Sequence, residues 1–194
     1  MDVLNKGTYS ISYARDLIIT DDCYFTEWSL SHSENLVIFG GHFGMNSLAN
    51  SRNVVVYGGK FEPYSFMRAE NVHVINGDFD DSCFLAAKDI KVLGGNFGEN
   101  SFYCGEKIKG YSNGSIKSIA NVSDTLLVVK TLNELIYEYG LEQEIKSVKI
   151  YAVNTHKEIK NHLIKISEKD FNSLYAPVVE SLDDRIKELL QIVE

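Results

Sequence analysis

The sequence predicts a mainly β protein. A single-stranded right-handed parallel β-helix fills residues 1–129, and a small α+β unit fills residues 130–194. Three observations carry this expectation. From Asn35 to Glu106, four segments align without a gap at a step of 18 residues, starting at Asn35, Asn53, Asn71 and Asp89. Apolar residues recur in the same columns at every step. The position before each start reads Arg15, Glu34, Arg52, Glu70, Lys88, Glu106, so the charge sign alternates from coil to coil. A fixed short period with recurring apolar columns marks a solenoid. Alternating charges attract only where consecutive coils stack in register.

Each part of the coil follows from its residue types. Leu17, Leu36, Val54, Val72, Ile90 and Ile108 form one apolar column. Ile19, Ile38, Val56, Val74 and Val92 form another two positions on. Between them run Ile18, Val37, Val55, His73, Lys91 and Lys109, a column that turns polar. Side chains alternate across a strand, so the flanking columns face the core and the middle one faces out. The pairs Gly40-Gly41, Gly58-Gly59, Asn76-Gly77 and Gly94-Gly95 follow, types that reach positive φ cheaply at a repeated corner. Phe25, Phe43, Phe61, Phe79 and Phe97 make an aromatic stack. Leu30, Leu48, Phe66, Phe84 and Phe102 make a second bulky column, with Ser29, Ser47, Ser65, Cys83 and Ser101 beside it. Asp16, Asn35, Asn53, Asn71 and Asp89 can form an amide ladder at the ~4.8 Å strand spacing.

Reading outward, the pattern spans Gly7 to Val129, about six and a half coils. A left-handed β-helix is the alternative, because its coils also hold 18 residues. Its apolar residue every six positions fails here: stepping on from Leu36, successive coils offer His42, Lys60, Asp78 and Asn96. Beyond Val129 the period stops. Thr131 to Glu134 reads as a capping box opening a helix to Gly140. Ser147 to Val153 and His162 to Ile166 read as strands of a hairpin, and Ser167 as the cap of a short helix through Leu174. Val179, Leu182, Ile186, Leu189, Leu190 and Val193 stripe a last helix from Val178 to Val193. Such a unit would close the open end of the solenoid.

The net charge of −8 argues against direct binding of nucleic acid, which needs a basic surface. It suits a basic protein partner or a surface that imitates phosphates. No apolar run reaches the ~20 residues of a membrane span, and the first residues lack the apolar core of a signal peptide. Cys23, Cys83 and Cys104 lack metal-type spacing, so a cytoplasmic protein with reduced thiols is expected. The five histidines fall at unrelated repeat positions, so neither a metal nor a cofactor is expected.

The unit N-[LVI]-x-V-x-G-G-x-F followed by S-[FL]-x-x-[AS] covers about two thirds of the chain. It resembles the coils of bacterial right-handed β-helix proteins of the pectate-lyase-like superfold, and is nearest to uncharacterised Firmicute families. The resemblance implies a fold more than an activity. Enzymes of that superfold cut acidic polysaccharides with clustered Asp and a basic residue on one sheet face. The outward column of Val37, Val55, His73, Lys91 and Lys109 holds no such cluster.

Two sets of residues stand out as candidates for partner binding. Glu27, Glu62, Asp80, Asp81 and Glu99 make an acidic stripe at one turn. Phe39, Tyr57, Ile75, Leu93 and Tyr111 make an apolar stripe at the corner after the core strand. Together they predict a non-enzymatic binding protein, with no catalytic residues assigned, that presents a rigid acidic surface to a macromolecule. An inhibitor of a basic or nucleic-acid-binding protein, of the kind phages and mobile elements encode, fits this description. A homodimer through the apolar stripe or the C-terminal unit is also expected. The alternative is a carbohydrate-active β-helix enzyme or a polysaccharide-binding module.

Overall fold

The computed structural model describes residues 2–4, 7–136, 148–155 and 163–174. In chain order the strands are β1 (Asp2–Leu4), β2 (Gly7–Tyr9), β3 (Arg15–Ile19), β4 (Cys23–Phe25), β5 (Glu34–Ile38), β6 (His42–Phe43), β7 (Arg52–Val56) and β8 (Lys60–Phe61). They continue as β9 (Glu70–Val74), β10 (Asp78–Phe79), β11 (Lys88–Val92), β12 (Asn96–Phe97), β13 (Glu106–Ala120), β14 (Leu126–Ile136), β15 (Lys149–Thr155) and β16 (Leu163–Lys165). Among the described residues one short helix, α1, covers residues 168–174. Among the described residues no helix is long and apolar enough to cross a membrane.

The strands wind into a parallel β-solenoid of about seven turns. Odd-numbered strands β1 to β11 stack as a first sheet, and even-numbered strands β2 to β12 as a second. The long β13 bends through the corner and pairs with both. The register is the one that the repeat dictates: Leu36 faces Val54, Val54 faces Val72, and Phe61 faces Phe79.

Core positions match residue type. Both apolar columns of the first sheet are buried from Leu17 to Ile108. Phe43, Phe61, Phe79 and Phe97 stack face to face, with successive ring centroids 4.6, 4.8 and 4.8 Å apart. Phe66, Phe84 and Phe102 repeat this in the second column, tilted against the first by 42–55°. The small column is sealed as well. Ser47 Oγ donates to the Thr26 carbonyl at 3.1 Å, and Cys83 Sγ donates to the Glu62 carbonyl at 3.3 Å.

The Asn/Asp column has two reasons to exist. Asn53 Nδ2 donates to Asn35 Oδ1 at 3.1 Å, and Asn71 Nδ2 donates to Asn53 Oδ1 at 2.8 Å, so the amide ladder forms. In addition Asp16, Asn35, Asn53, Asn71 and Asp89 all have φ between 55° and 59°, a left-handed conformation that Asn and Asp tolerate best among non-glycine residues. The alternating charge column is also in register, and it closes as separate pairs: Arg15–Glu34 at 3.8 Å, Arg52–Glu70 at 3.6 Å and Lys88–Glu106 at 3.5 Å.

Three expectations need correction. Residues 131–136 belong to β14 and are not helical. Leu127, Val129 and Leu132 are fully buried, and β13 offers β14 an open parallel edge. Burial on that edge outweighs the local capping pattern. Secondly, β15 and β16 pair in parallel, as do β14 and β15, so the hairpin is absent and coil-type pairing continues to Lys165. Thirdly, Ile18 is buried, although it sits in the outward column. The cap of α1 does form: Ser167 Oγ accepts the Asp170 N–H at 3.1 Å. The stretch to Gly140 and the helix expected from Val178 to Val193 lie outside the described residues.

Candidate functional site

The second sheet builds a cleft from a two-residue alternation. In β6, β8, β10 and β12 the phenylalanine points into the core. The residue before it therefore points out. That outward row reads His42, Lys60, Asp78, Asn96, each the register partner of the next. Immediately after the phenylalanines come Glu62 and Asp80, held by Glu62 N–H to Phe43 O and Asp80 N–H to Phe61 O, both 2.9 Å. The result is a cleft of about 390 Å³, lined chiefly by His42, Lys60, Glu62, Asp78, Asp80 and Lys117 over a phenylalanine floor.

Several of these side chains are fixed by neighbours. His42 Nε2 lies 2.9 Å from Glu62 Oε1, and the ring stacks on Tyr24 with centroids 4.8 Å apart. Asn96 Nδ2 donates to Asp78 Oδ1 at 3.0 Å. At the adjoining corner Asp80 Oδ1 accepts the Asp81 N–H at 2.9 Å, and Asp81 Oδ1 accepts the Glu99 N–H at 2.7 Å. Gly98 makes room for this corner: a Cβ there would stand 2.4 Å from Asp81 Oδ1 and 2.7 Å from the Asp80 carbonyl carbon.

Of the acidic residues expected at this turn, the structure gathers Glu62, Asp80, Asp81 and Glu99 on three consecutive coils. Glu27 stands apart. Its column continues through Met45 and Pro63, and two coils separate it from Asp80 and Asp81. Sequence reasoning missed the row His42, Lys60, Asp78, which supplies half of the cleft. The signal was present: these are the residues that broke the six-residue apolar pattern. A column that is polar at every coil is an outward-facing row.

The apolar stripe of Phe39, Tyr57, Ile75, Leu93 and Tyr111 is half-buried along its whole length. Phe39 and Tyr57 stack with centroids 4.9 Å apart. Cys83 sits under the acidic corner, where burial pushes its thiol well above the ordinary range. Cys104 is exposed.

The cleft can hold a charged or hydroxyl-rich ligand by its carboxylates and ammonium groups over an aromatic floor. No family model matches the chain, and neither a curated protein nor a solved structure does.

Proposed function

We propose that this protein is a non-enzymatic binding protein whose solenoid offers the acidic corner and its cleft to a basic macromolecular partner. The observation that supports this best is the gathering of Glu62, Asp80, Asp81 and Glu99, with the Asp81 carboxylate anchored on the Glu99 N–H. Carboxylates held by main-chain bonds need little reordering when a cationic surface docks, which favours affinity. The net charge of −8 adds long-range attraction for such a partner. A basic or nucleic-acid-binding protein, held inactive while its cationic surface is occupied, is the class of target that this charge pattern fits.

The test is capture of a partner from the parent cell with native protein and with the triple variant Glu62→Gln, Asp80→Asn, Glu99→Gln. The proposal expects a basic protein that the native form retains at low salt and releases at high salt, and that the variant does not retain. Equal capture by both forms would overturn it.

A second reading has its own support. Asp78, Asp80 and Glu62 share one cleft with Lys60 and Lys117, and the coil motif resembles right-handed β-helix proteins of the pectate-lyase-like superfold. That combination suits a carbohydrate-active enzyme or polysaccharide-binding module. Release of oligosaccharides from an acidic polysaccharide, abolished by Asp80→Asn, would favour it over the binding-only reading.

A further inference from the structure

On the first sheet, away from the acidic corner, one outward column departs from the charge alternation that the column three residues before it keeps. In the column Arg15 to Glu106 the sign alternates at every step. Three positions further on, His73, Lys91 and Lys109 are consecutive register partners. Two ammonium groups one strand spacing apart repel, and a parallel stack gains nothing from them. Among the described residues, neither Lys91, Lys107 nor Lys109 takes part in an ion pair.

Lys107 is a second departure. It occupies the column otherwise filled by Asp16, Asn35, Asn53, Asn71, Asp89 and Asp124, and it adopts φ 56°. A lysine pays the left-handed strain without the local hydrogen bonding that Asn and Asp bring.

Both departures converge on one place. A cavity of about 370 Å³ is lined by Asn71, Asp89, Lys91, Lys107 and Lys109. A second, of about 270 Å³, shares Lys91 and Lys109 and has an apolar floor of Leu93, Tyr111, Leu126 and Val128. Between Lys109 and Tyr111 that floor is bare main chain, because Gly110 packs so closely that a Cβ would meet the Val92 carbonyl oxygen at 1.9 Å. Leu126 remains 45% exposed there.

We propose that these adjoining cavities form a binding site for a small organic anion, with a flat apolar body over Leu93, Tyr111 and Leu126 and a sulfonate, phosphate or carboxylate group between Lys91, Lys107 and Lys109. Cationic groups beside a concave apolar floor give such a ligand both burial and charge-assisted hydrogen bonds. The site is independent of the acidic corner, so either can fail without the other.

Fluorescence titration with anilinonaphthalene sulfonate tests the assignment, with uncharged phenylnaphthylamine as the control. The native protein binds one equivalent of the sulfonate. The triple variant Lys91→Gln, Lys107→Asn, Lys109→Gln binds it about tenfold more weakly, the scale of losing a charge-assisted contact. Its melting temperature is unchanged or higher, because Lys107→Asn restores the column's usual residue. Affinity for the uncharged dye stays within about twofold, whereas Leu126→Asn weakens both dyes. Sulfonate affinity in the triple variant equal to that of the native protein, or an equal loss for the uncharged dye, overturns the site.

Discussion

Single residues report how strictly each column is held. Phe79 is 4% exposed and stacks between Phe61 and Phe97 at 4.8 Å on either side. Phe79→Ala therefore costs ~3–5 kcal/mol in denaturant unfolding. A loss of about 1 kcal/mol or less would place that ring at the surface. Cys83 gives a pH signature. Its thiol is raised above the ordinary thiol range, first by burial and then by Asp80 and Asp81, with backbone hydrogen bonds opposing. The folded protein thus holds this proton after the unfolded chain has lost it. The sign follows: stability is unaffected below the unfolded thiol pKa of ~8.5 and falls as pH rises above it. Cys83→Ser, which restores the column's usual residue, flattens that fall in melting curves taken above the thiol pKa. Residue types alone foretold burial of these columns, because a phenylalanine or small residue at every step has few other places to go. They did not foretell Ile18, whose outward position on its strand gave no sign that the side chain is buried.

At the level of the coil, two columns distinguish stacking from local conformation. Asn53→Gly keeps the left-handed backbone affordable while cutting the ladder, whereas Asn53→Ala loses both. Asn53→Ala should therefore destabilise by about 1–2 kcal/mol, and by more than Asn53→Gly, in urea titrations. If glycine proved the worse substitution, the left-handed φ would not be what selects asparagine in this column. Glu70→Lys replaces the Arg52 pair at 3.6 Å with like charges on either side. Arg52 is exposed and Glu70 half-exposed, so the cost is about 1 kcal/mol at low ionic strength and shrinks with added salt. The period made these elements legible, because a repeat tests every assignment several times over. Beyond Val129 that check disappears. Thr131 to Glu134 then looked like a helix start, although the free edge of β13 was the stronger influence. The apparent hairpin failed for the same reason: short local patterns cannot announce that a parallel edge waits three residues or thirty away.

For the whole molecule, one winding rule places everything else. It brings His42, Lys60 and Asp78 into one row beside Glu62 and Asp80, and it brings Lys91, Lys107 and Lys109 together on the other sheet. Neither cleft was legible as such, because each draws its residues from coils 18 positions apart. Glu62, Asp80, Asp81 and Glu99 were visible from residue type, and their cleft only as a broken pattern. Past the repeat the winding still depends on parallel register, β14 on β13 and β15 on β14. Leu126 and Lys149 are register partners on outward positions of β14 and β15, and directly paired strands bring Cα atoms within the ~4.4–6.8 Å that a disulfide spans. The most direct measurement is oxidation of the folded variant Leu126→Cys, Lys149→Cys, with Cys104→Ser to remove the exposed native thiol, followed by peptide mapping. A parallel β14–β15 register gives a 126–149 disulfide formed within the monomer, with no fall in melting temperature. Free thiols at both positions, or a link formed only in denaturant, would contradict it.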